Sequence, residues 1–236
     1  MKKISFVIPV YNEQENIPQL VKEIEAVAAD LCHDYEILMV DDGSSDSSFD
    51  VIQKQAKQNK HIQILSLSRN SGQSAALYAG FQAASGDVII TMDADLQNDP
   101  ADLRQMAELY GEHDMVNGWR FNRQDTWSKK IASKIGNGFR NWLTRETIHD
   151  TGCSLKIMNA EMLKQIRMYK GLHRFLPTLM RLEGAKVIEV KVSHRQRRYG
   201  VSKYTNLRRG IEGFYDVIAV RWMQSRHLSI ETKEEK

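Results

Sequence analysis

Asp93 and Asp95 flank an alanine directly after Val88-Ile89-Ile90-Thr91-Met92, an apolar, β-branched run that reads as a buried strand. A strand that ends on two carboxylates offers hard oxygen ligands to a divalent cation, and such a cation is what a diphosphate leaving group needs. The pair points to a metal-dependent reaction on a nucleotide-linked substrate. An Asp-x-Asp pattern alone also suits an ordinary acidic turn, so its weight depends on three other segments.

The first is residues 4–10, a short apolar strand signal followed by Tyr11-Asn12-Glu13-Gln14-Glu15. Asn12 with Glu15 three residues on resembles a helix start, and Pro9, which lacks an N–H, is expected to end the strand. The second is Tyr35 to Val40 running into Asp41-Asp42-Gly43-Ser44. Carboxylates there could accept from a base edge or ribose hydroxyls, while Asp46 is better read as a helix cap. The third is His194-Arg195-Gln196-Arg197-Arg198-Tyr199-Gly200-Val201-Ser202-Lys203. No acid interrupts the cations from Arg195 to Arg209, and Arg and Lys in a glycine-containing loop can neutralise phosphates. A run of this kind is equally compatible with a solvated face.

The elements that must position these groups alternate. Strands are expected at 4–10, 35–41, 62–67 and 87–92, with helices at about 13–31, 46–59 and 72–84 between them, the pattern of a mainly parallel sheet covered by helices. Ligand clefts in such sheets lie at the carboxyl ends of the strands, where the acidic residues fall. Further on, the sequence predicts a helix from Asn98-Asp99-Pro100 to about 110, strands at 114–119, 154–158 and 185–192, and helices at 127–143, 160–165, 175–183 and 207–223. No linker or repeat divides the chain, so residues 1–206 are expected to form one α/β domain, with a nucleotide-binding half to about 97 and an acceptor half from about 98. Residues 207–224 follow as an amphipathic helix and 225–236 as a polar tail that frays.

Composition sets outer limits. The 236 residues are 42% hydrophobic and 27% charged, enough apolar content for a folded core, and a net charge of +3 does not demand a nucleic-acid partner. Cys32 and Cys153 lack metal-site spacing and read as buried thiols in a reducing compartment. No stretch reaches the roughly 20 apolar residues of a membrane span. The expected location is cytoplasmic, at most peripheral on the cytoplasmic face of the inner membrane. Aromatic and basic residues on 207–223 favour either packing on the body or contact with a membrane interface.

Val-Ile-Pro-Val-Tyr-Asn-Glu at 7–13, Val-Asp-Asp-Gly-Ser at 40–44, Ser-Gly-Asp at 85–87, Asp-Ala-Asp-Leu-Gln at 93–97, Gly-Trp-Arg at 118–120 and Arg-x-x-Gly-x-Ser-Lys at 197–203 together resemble the inverting nucleotide-sugar glycosyltransferases of family 2. Within these the chain is most similar to the dolichol-phosphate mannosyltransferase-like polyprenyl-phosphate glycosyltransferases, over roughly residues 4–223. The resemblance implies a GT-A, Rossmann-like fold and transfer of a sugar from a nucleotide diphosphate, UDP ahead of GDP, to a polyprenyl phosphate for cell-envelope glycan synthesis. It implies that Pro9, Tyr11, Glu13 and Asp42 line the nucleoside pocket with Asp41 close by. Asp95 and Asp93 would hold Mg²⁺ or Mn²⁺ with Gln97 beside them, and Arg120 and Lys129 would reach the donor. Arg197 and Lys203 would clamp donor and acceptor phosphates.

Asp150-Thr151-Gly152-Cys153-Ser154 departs from the Asp-Pro-x-Ser-Gly form found in many mannosyltransferases, which weakens the case for a mannose donor. Many relatives continue into transmembrane helices, so membrane contact here would come from an amphipathic surface or a separate partner; oligomeric state is open. An anionic lipid phosphate needs little help from a base, whereas a sugar-hydroxyl acceptor would need a carboxylate, for which Asp150 is the candidate. His149, His173 and His194 read as structural. A non-catalytic basic binding module is the alternative of another class. A nucleotidyltransferase would carry a glycine-rich N-terminal loop, and a receiver domain would be about half as long.

Overall fold

The computed structural model describes residues 3–121, 136, 138–197 and 206–228. Strand β1 (Ile4–Val10) leads through helix α1 (Ile17–Leu31) to β2 (Tyr35–Asp41), α2 (Ser48–Gln58), β3 (Ile62–Ser66), α3 (Gln73–Ala83) and β4 (Val88–Thr91). A 3-10 turn at Pro100–Asp102 opens α4 (Leu103–Leu109), followed by β5 (Met115–Arg120), β6 (Lys156–Asn159), α5 (Ala160–Gln165), α6 (Leu176–Leu182), β7 (Val187–Val192) and α7 (Asn206–Arg226). Residues 138–144 are also helical.

The strands form one sheet in the order β3-β2-β1-β4-β6-β5-β7, parallel except for β6, which runs antiparallel to β4 and β5. Period-two alternation sorts its side chains to two helical layers. Ile4, Phe6, Ile8 and Val10 pack under α1 with Ile37, Met39, Val88 and Ile90, while Val7, Leu38, Val40 and Ile89 face α3 and α6. In α1 the buried positions Ile17, Leu20, Val21, Ile24, Val27 and Ala28 recur at helical spacing. The mainly parallel α/β domain expected from the sequence is present.

Four local expectations are corrected. Pro9 does not end β1: it pairs with Val40, and the strand runs on to Val10. Ile4 donates its amide toward β2, at Asp34 O, so by alternation the position of Pro9 faces β4, where pairing already stops at Val7 and Thr91. The missing N–H therefore breaks no ladder bond. Asn12 does not cap a helix. Its φ is 53°, and α1 begins only at Ile17 behind Asn16. Cys153 is buried as expected, but Cys32 is only half-buried at the end of α1. Asp46 sits one residue ahead of the N-cap, Ser47, and its Oδ1 accepts the Ser48 amide at 2.9 Å, so it serves a first-turn N–H from outside the cap position expected for it.

Candidate active site

Loops at the carboxyl ends of β1, β2 and β4 are tied to one another by side chains rather than by helix caps alone. Asn12 turns its Oδ1 to the Ser45 amide at 2.8 Å, while its own amide donates to Ser44 Oγ at 3.0 Å, and the Glu13 amide donates to Ser48 Oγ at 2.8 Å. The left-handed backbone of Asn12 brings these atoms round, a conformation asparagine tolerates better than most residues. Gly43 lies so close to Arg69 and Asn70 that a Cβ would fall 2.5 Å from the Arg69 carbonyl carbon, and its φ of 64° also favours glycine.

Asp42 uses both oxygens on backbone donors, the amides of Ser71 at 2.7 Å and Gly72 at 2.9 Å. It thereby fixes the residues just ahead of α3, whose first residue, Gln73, donates Nε2 to Asp93 Oδ1 at 2.7 Å. Asp41 accepts the Ser44 amide at 3.3 Å and the Ser66 hydroxyl at 3.4 Å. The two carboxylates at the end of β2 thus shape the walls of the cleft.

Asp95 is buried, with Oδ1 accepting the Gln97 amide at 3.1 Å across a turn in which Leu96 takes a φ of 60°. Its other oxygen receives Arg197 Nη2 at 2.6 Å, and Arg197 Nη1 lies 3.4 Å from Glu13 Oε1. Glu13 is itself held by Asn16 Nδ2, 2.6 Å from Oε2. Residues from the β1 loop, the β4 loop and the segment after β7 therefore converge on one point.

An extended segment beyond β7 delivers Arg197. The Ser193 amide donates to Asp102 Oδ2 at 2.7 Å and the Arg195 amide to Gln97 O at 2.9 Å. Arg195 also forms ion pairs with Glu23 at 2.6 Å and Asp99 at 2.7 Å. Alternate residues thus bind the loop that follows Asp95, as one face of an extended chain should. Arg195, Asp99 and Asp102 were not singled out as site residues; the two-residue spacing of Arg195 and Arg197 was the available signal. Lys129 and Lys203 lie outside the described residues.

Arg120, at the end of β5, meets Asp150 in a bidentate pair, with Nε 2.7 Å from Oδ2 and Nη2 2.9 Å from Oδ1. Burial alone would raise the Asp150 carboxyl, but the Arg120 bond, with Lys156 nearby, holds it below the usual carboxylate range. Such a carboxylate is a weak base. Glu189 on β7 fixes the same loop by accepting the amides of His149 at 2.8 Å and Asp150 at 3.1 Å. Buried Arg140 adds bonds to Thr151 Oγ1 at 2.8 Å and Ile148 O at 2.6 Å.

Lys156 was missed as well. It is buried on β6 and donates Nζ to the carbonyls of Thr151 and Cys153. Burial lowers the pKa of its ammonium group, with Cys153 and Asp150 opposing. A single lysine in the apolar stretch Leu155 to Met158 was its only trace in the sequence.

Asp93 is pushed up to about 6, first by burial and then by the facing Asp95 carboxylate, against the pull of Ser154, Arg120 and Lys156. Its folded value lies above the ordinary 3.8, so the fold binds this proton more tightly than the unfolded chain does. Above pH 6 the ionised side chain opposes folding, and that cost fades as pH falls toward 4. Asp93→Asn measured in EDTA should therefore gain stability at pH 7.5, by about 1–3 kcal/mol or several degrees in Tm, and gain little near pH 4. An equal gain at both pH values would show that charge is not the cause.

The donor set fits Mg²⁺ or Mn²⁺. Asp93 and Asp95 present hard carboxylate oxygens, and Gln97 stands next to them in the turn. No cluster of three or more His, Cys, Asp or Glu side chains able to hold a metal ion occurs among the described residues. Such a cation would take its other ligands from water and substrate phosphates, as Mg²⁺ commonly does. The strain of two facing acids, one of them already met by a guanidinium, is what a divalent charge would relieve.

Residues 5–167 match the family described as glycosyl transferase family 2. Among solved structures, glucosyl-3-phosphoglycerate synthase from Mycobacterium tuberculosis in complex with phosphoglyceric acid superposes with a TM-score of 0.69 at 18% identity, covering 96% of this chain and 81% of that one. The same enzyme with Mn²⁺, uridine diphosphate and phosphoglyceric acid gives 0.69 at 18% identity over 96% and 80%. S. aureus TarS, residues 1–349 with UDP-GlcNAc, gives 0.63 at 19% identity over 98% and 68%. At these identities the likeness establishes a shared GT-A fold.

Proposed function

The chain belongs to glycosyl transferase family 2 and is a nucleotide-sugar glycosyltransferase, and on that premise we propose that it moves a sugar, with inversion and with help from Mg²⁺ or Mn²⁺, from a UDP-sugar to a polyprenyl phosphate. The observation that carries this reading is Arg197, brought from beyond β7 to within 2.6 Å of Asp95. A cation-binding carboxylate and a phosphate-binding guanidinium at one point suit a departing diphosphate.

In the reaction the bond between the anomeric carbon and the diphosphate oxygen breaks, and its electron pair stays on the leaving group. An acceptor oxygen forms the new bond from the opposite face. Asp93 and Asp95 would hold the cation, which would supply positive charge to the leaving diphosphate. Arg197 moves its guanidinium from Asp95 and Glu13 to the same phosphates, a preorganised contact of about 3 kcal/mol at the barrier. Asp42 and Asn12 hold the nucleoside side of the cleft, and Gln73 keeps Asp93 oriented.

Two points favour a phosphate acceptor over a sugar hydroxyl. Asp150, the carboxylate considered as base, is neutralised by Arg120. A phosphate arrives already ionised and needs no proton removed. The structural neighbours add context: the mycobacterial synthase is bound to uridine diphosphate with Mn²⁺ and to a phosphate-bearing acid.

The test is a thermal-shift series with UDP-glucose, UDP-GlcNAc and GDP-mannose, with and without Mn²⁺, followed by mass spectrometry of products formed on undecaprenyl phosphate. A UDP-sugar with Mn²⁺ should raise Tm by roughly 5–10 °C at a hundredfold excess over Kd, and the lipid should gain one sugar through its phosphate. Transfer only to a sugar hydroxyl would replace the acceptor. Stabilisation by an oligonucleotide but by no nucleotide sugar would return the chain to the class of basic binding modules.

A further inference from the structure

Helix α7 packs on the body through Val217 and Val220, which join the core layer of α3, α5 and α6. Its other side does the opposite of what a surface helix should. Phe214, Tyr215, Ile218 and Trp222 recur at helical spacing and all point outward, with Tyr215 68% and Trp222 63% exposed. The helical residues 138–144 extend this surface. Phe139 stacks on Phe214 at 5.5 Å between ring centres and lies 6.2 Å from Trp142, which is 74% exposed. These six side chains expose roughly 700 Å² of largely apolar area, more than the largest patch on most soluble monomers.

We infer that this face, made of residues 138–144 and the outer stripe of α7, seats the protein on an anionic lipid bilayer. Trp and Tyr are the side chains that favour the headgroup level, where one end of the ring is apolar and the other wet. Charge supports the same occupant. Arg145, just past Trp142, and Arg221 and Arg226 on α7 form no ion pair among the described residues, whereas Glu212 pairs with Lys170 and Asp216 with Arg174. Glu183 lines the same hollow as Trp222 and Arg226, and against that one acid Arg145, Arg221 and Arg226 leave the charge around the aromatic face positive, complementary to phosphatidylglycerol-type headgroups. A second copy docked by two-fold symmetry would bring two faces of the same net positive charge together. The inference rests on the surface alone; it holds whether or not the acceptor is a lipid.

The test is co-sedimentation of the full chain with vesicles of mixed phosphatidylglycerol and phosphatidylcholine, with tryptophan emission recorded and no donor or acceptor present. The wild type should pellet and its emission should shift to the blue, binding should weaken on phosphatidylcholine alone, and Trp142→Ser with Trp222→Ser should cut partitioning at least about tenfold. Both positions are exposed, so the UDP-sugar thermal shift should be unchanged and report an intact fold. Equal pelleting of wild type and double variant overturns the inference. So does a wild type that ignores vesicles, and if that protein self-associates in a way the double variant loses, the face belongs to a second copy.

Discussion

Asp95→Ala will abolish the Mn²⁺-dependent thermal shift by UDP-sugar and lower turnover by about a thousandfold. The side chain has two tasks: Oδ1 holds the Gln97 amide and so the turn, and Oδ2 carries the charge that faces Arg197. Alanine removes both, leaving Arg197 with Glu13 as its remaining carboxylate partner. The loss expected for removing a cation that stabilises a leaving diphosphate is several kcal/mol, hence the size of the effect. Asp95→Asn separates the tasks. Its side-chain oxygen can still accept from Gln97, so the fold should remain, while the missing charge should leave turnover nearly as low. A Mn²⁺-dependent shift of wild-type size in Asp95→Ala would remove the cation from this carboxylate.

Arg197→Ala should move two readouts in opposite directions. In the structure the guanidinium already neutralises Asp95 and Glu13, so a cation held by Asp95 would compete with it. Without it, Mn²⁺ alone should bind more tightly, by roughly tenfold if the displaced pair contributes about 1.4 kcal/mol, as a partly buried charged bond can. Turnover should nevertheless fall by about a hundredfold or more, because the leaving diphosphate loses a preorganised donor. Arg197→Lys should restore part of the rate but not bidentate geometry. Mn²⁺ affinity can be followed by calorimetry without any turnover. If it does not change in Arg197→Ala, the arginine and the cation are not exchanging on Asp95.

Much of this framework was legible in the chain itself. β-Branched runs, their spacing and the carboxylates at the ends of β2 and β4 follow from local rules: alternation in strands, helical periodicity between them, and turn residues where the two meet. Those rules placed most elements within a few residues and set Asp93 and Asp95 at a cleft edge. They failed where a local signal had two uses. Asn12 looked like a helix cap, yet it adopts a positive φ to tie down Ser44 and Ser45, and Pro9 looked like a strand end although its missing N–H faces a side without a partner.

Sequence alone determined the kinds of group available: a strand-end acidic pair, a cationic segment, and a terminal helix with aromatic and basic residues. Only the tertiary structure decided which of them meet. Arg197 and Asp95 are 102 positions apart in the chain, and their contact depends on Ser193 and Arg195 being held by the loop after Asp95. Arg120, expected at the donor, is held by Asp150 within electrostatic reach of Asp93, and Lys156 is buried because β6 inserts antiparallel between β4 and β5. On α7 the valines face inward and the aromatics outward, a choice no hydropathy count makes. Local sequence encodes backbone preference and burial over a few residues, whereas the partner of a charge is fixed by sheet order and register, which arise only when distant segments pack.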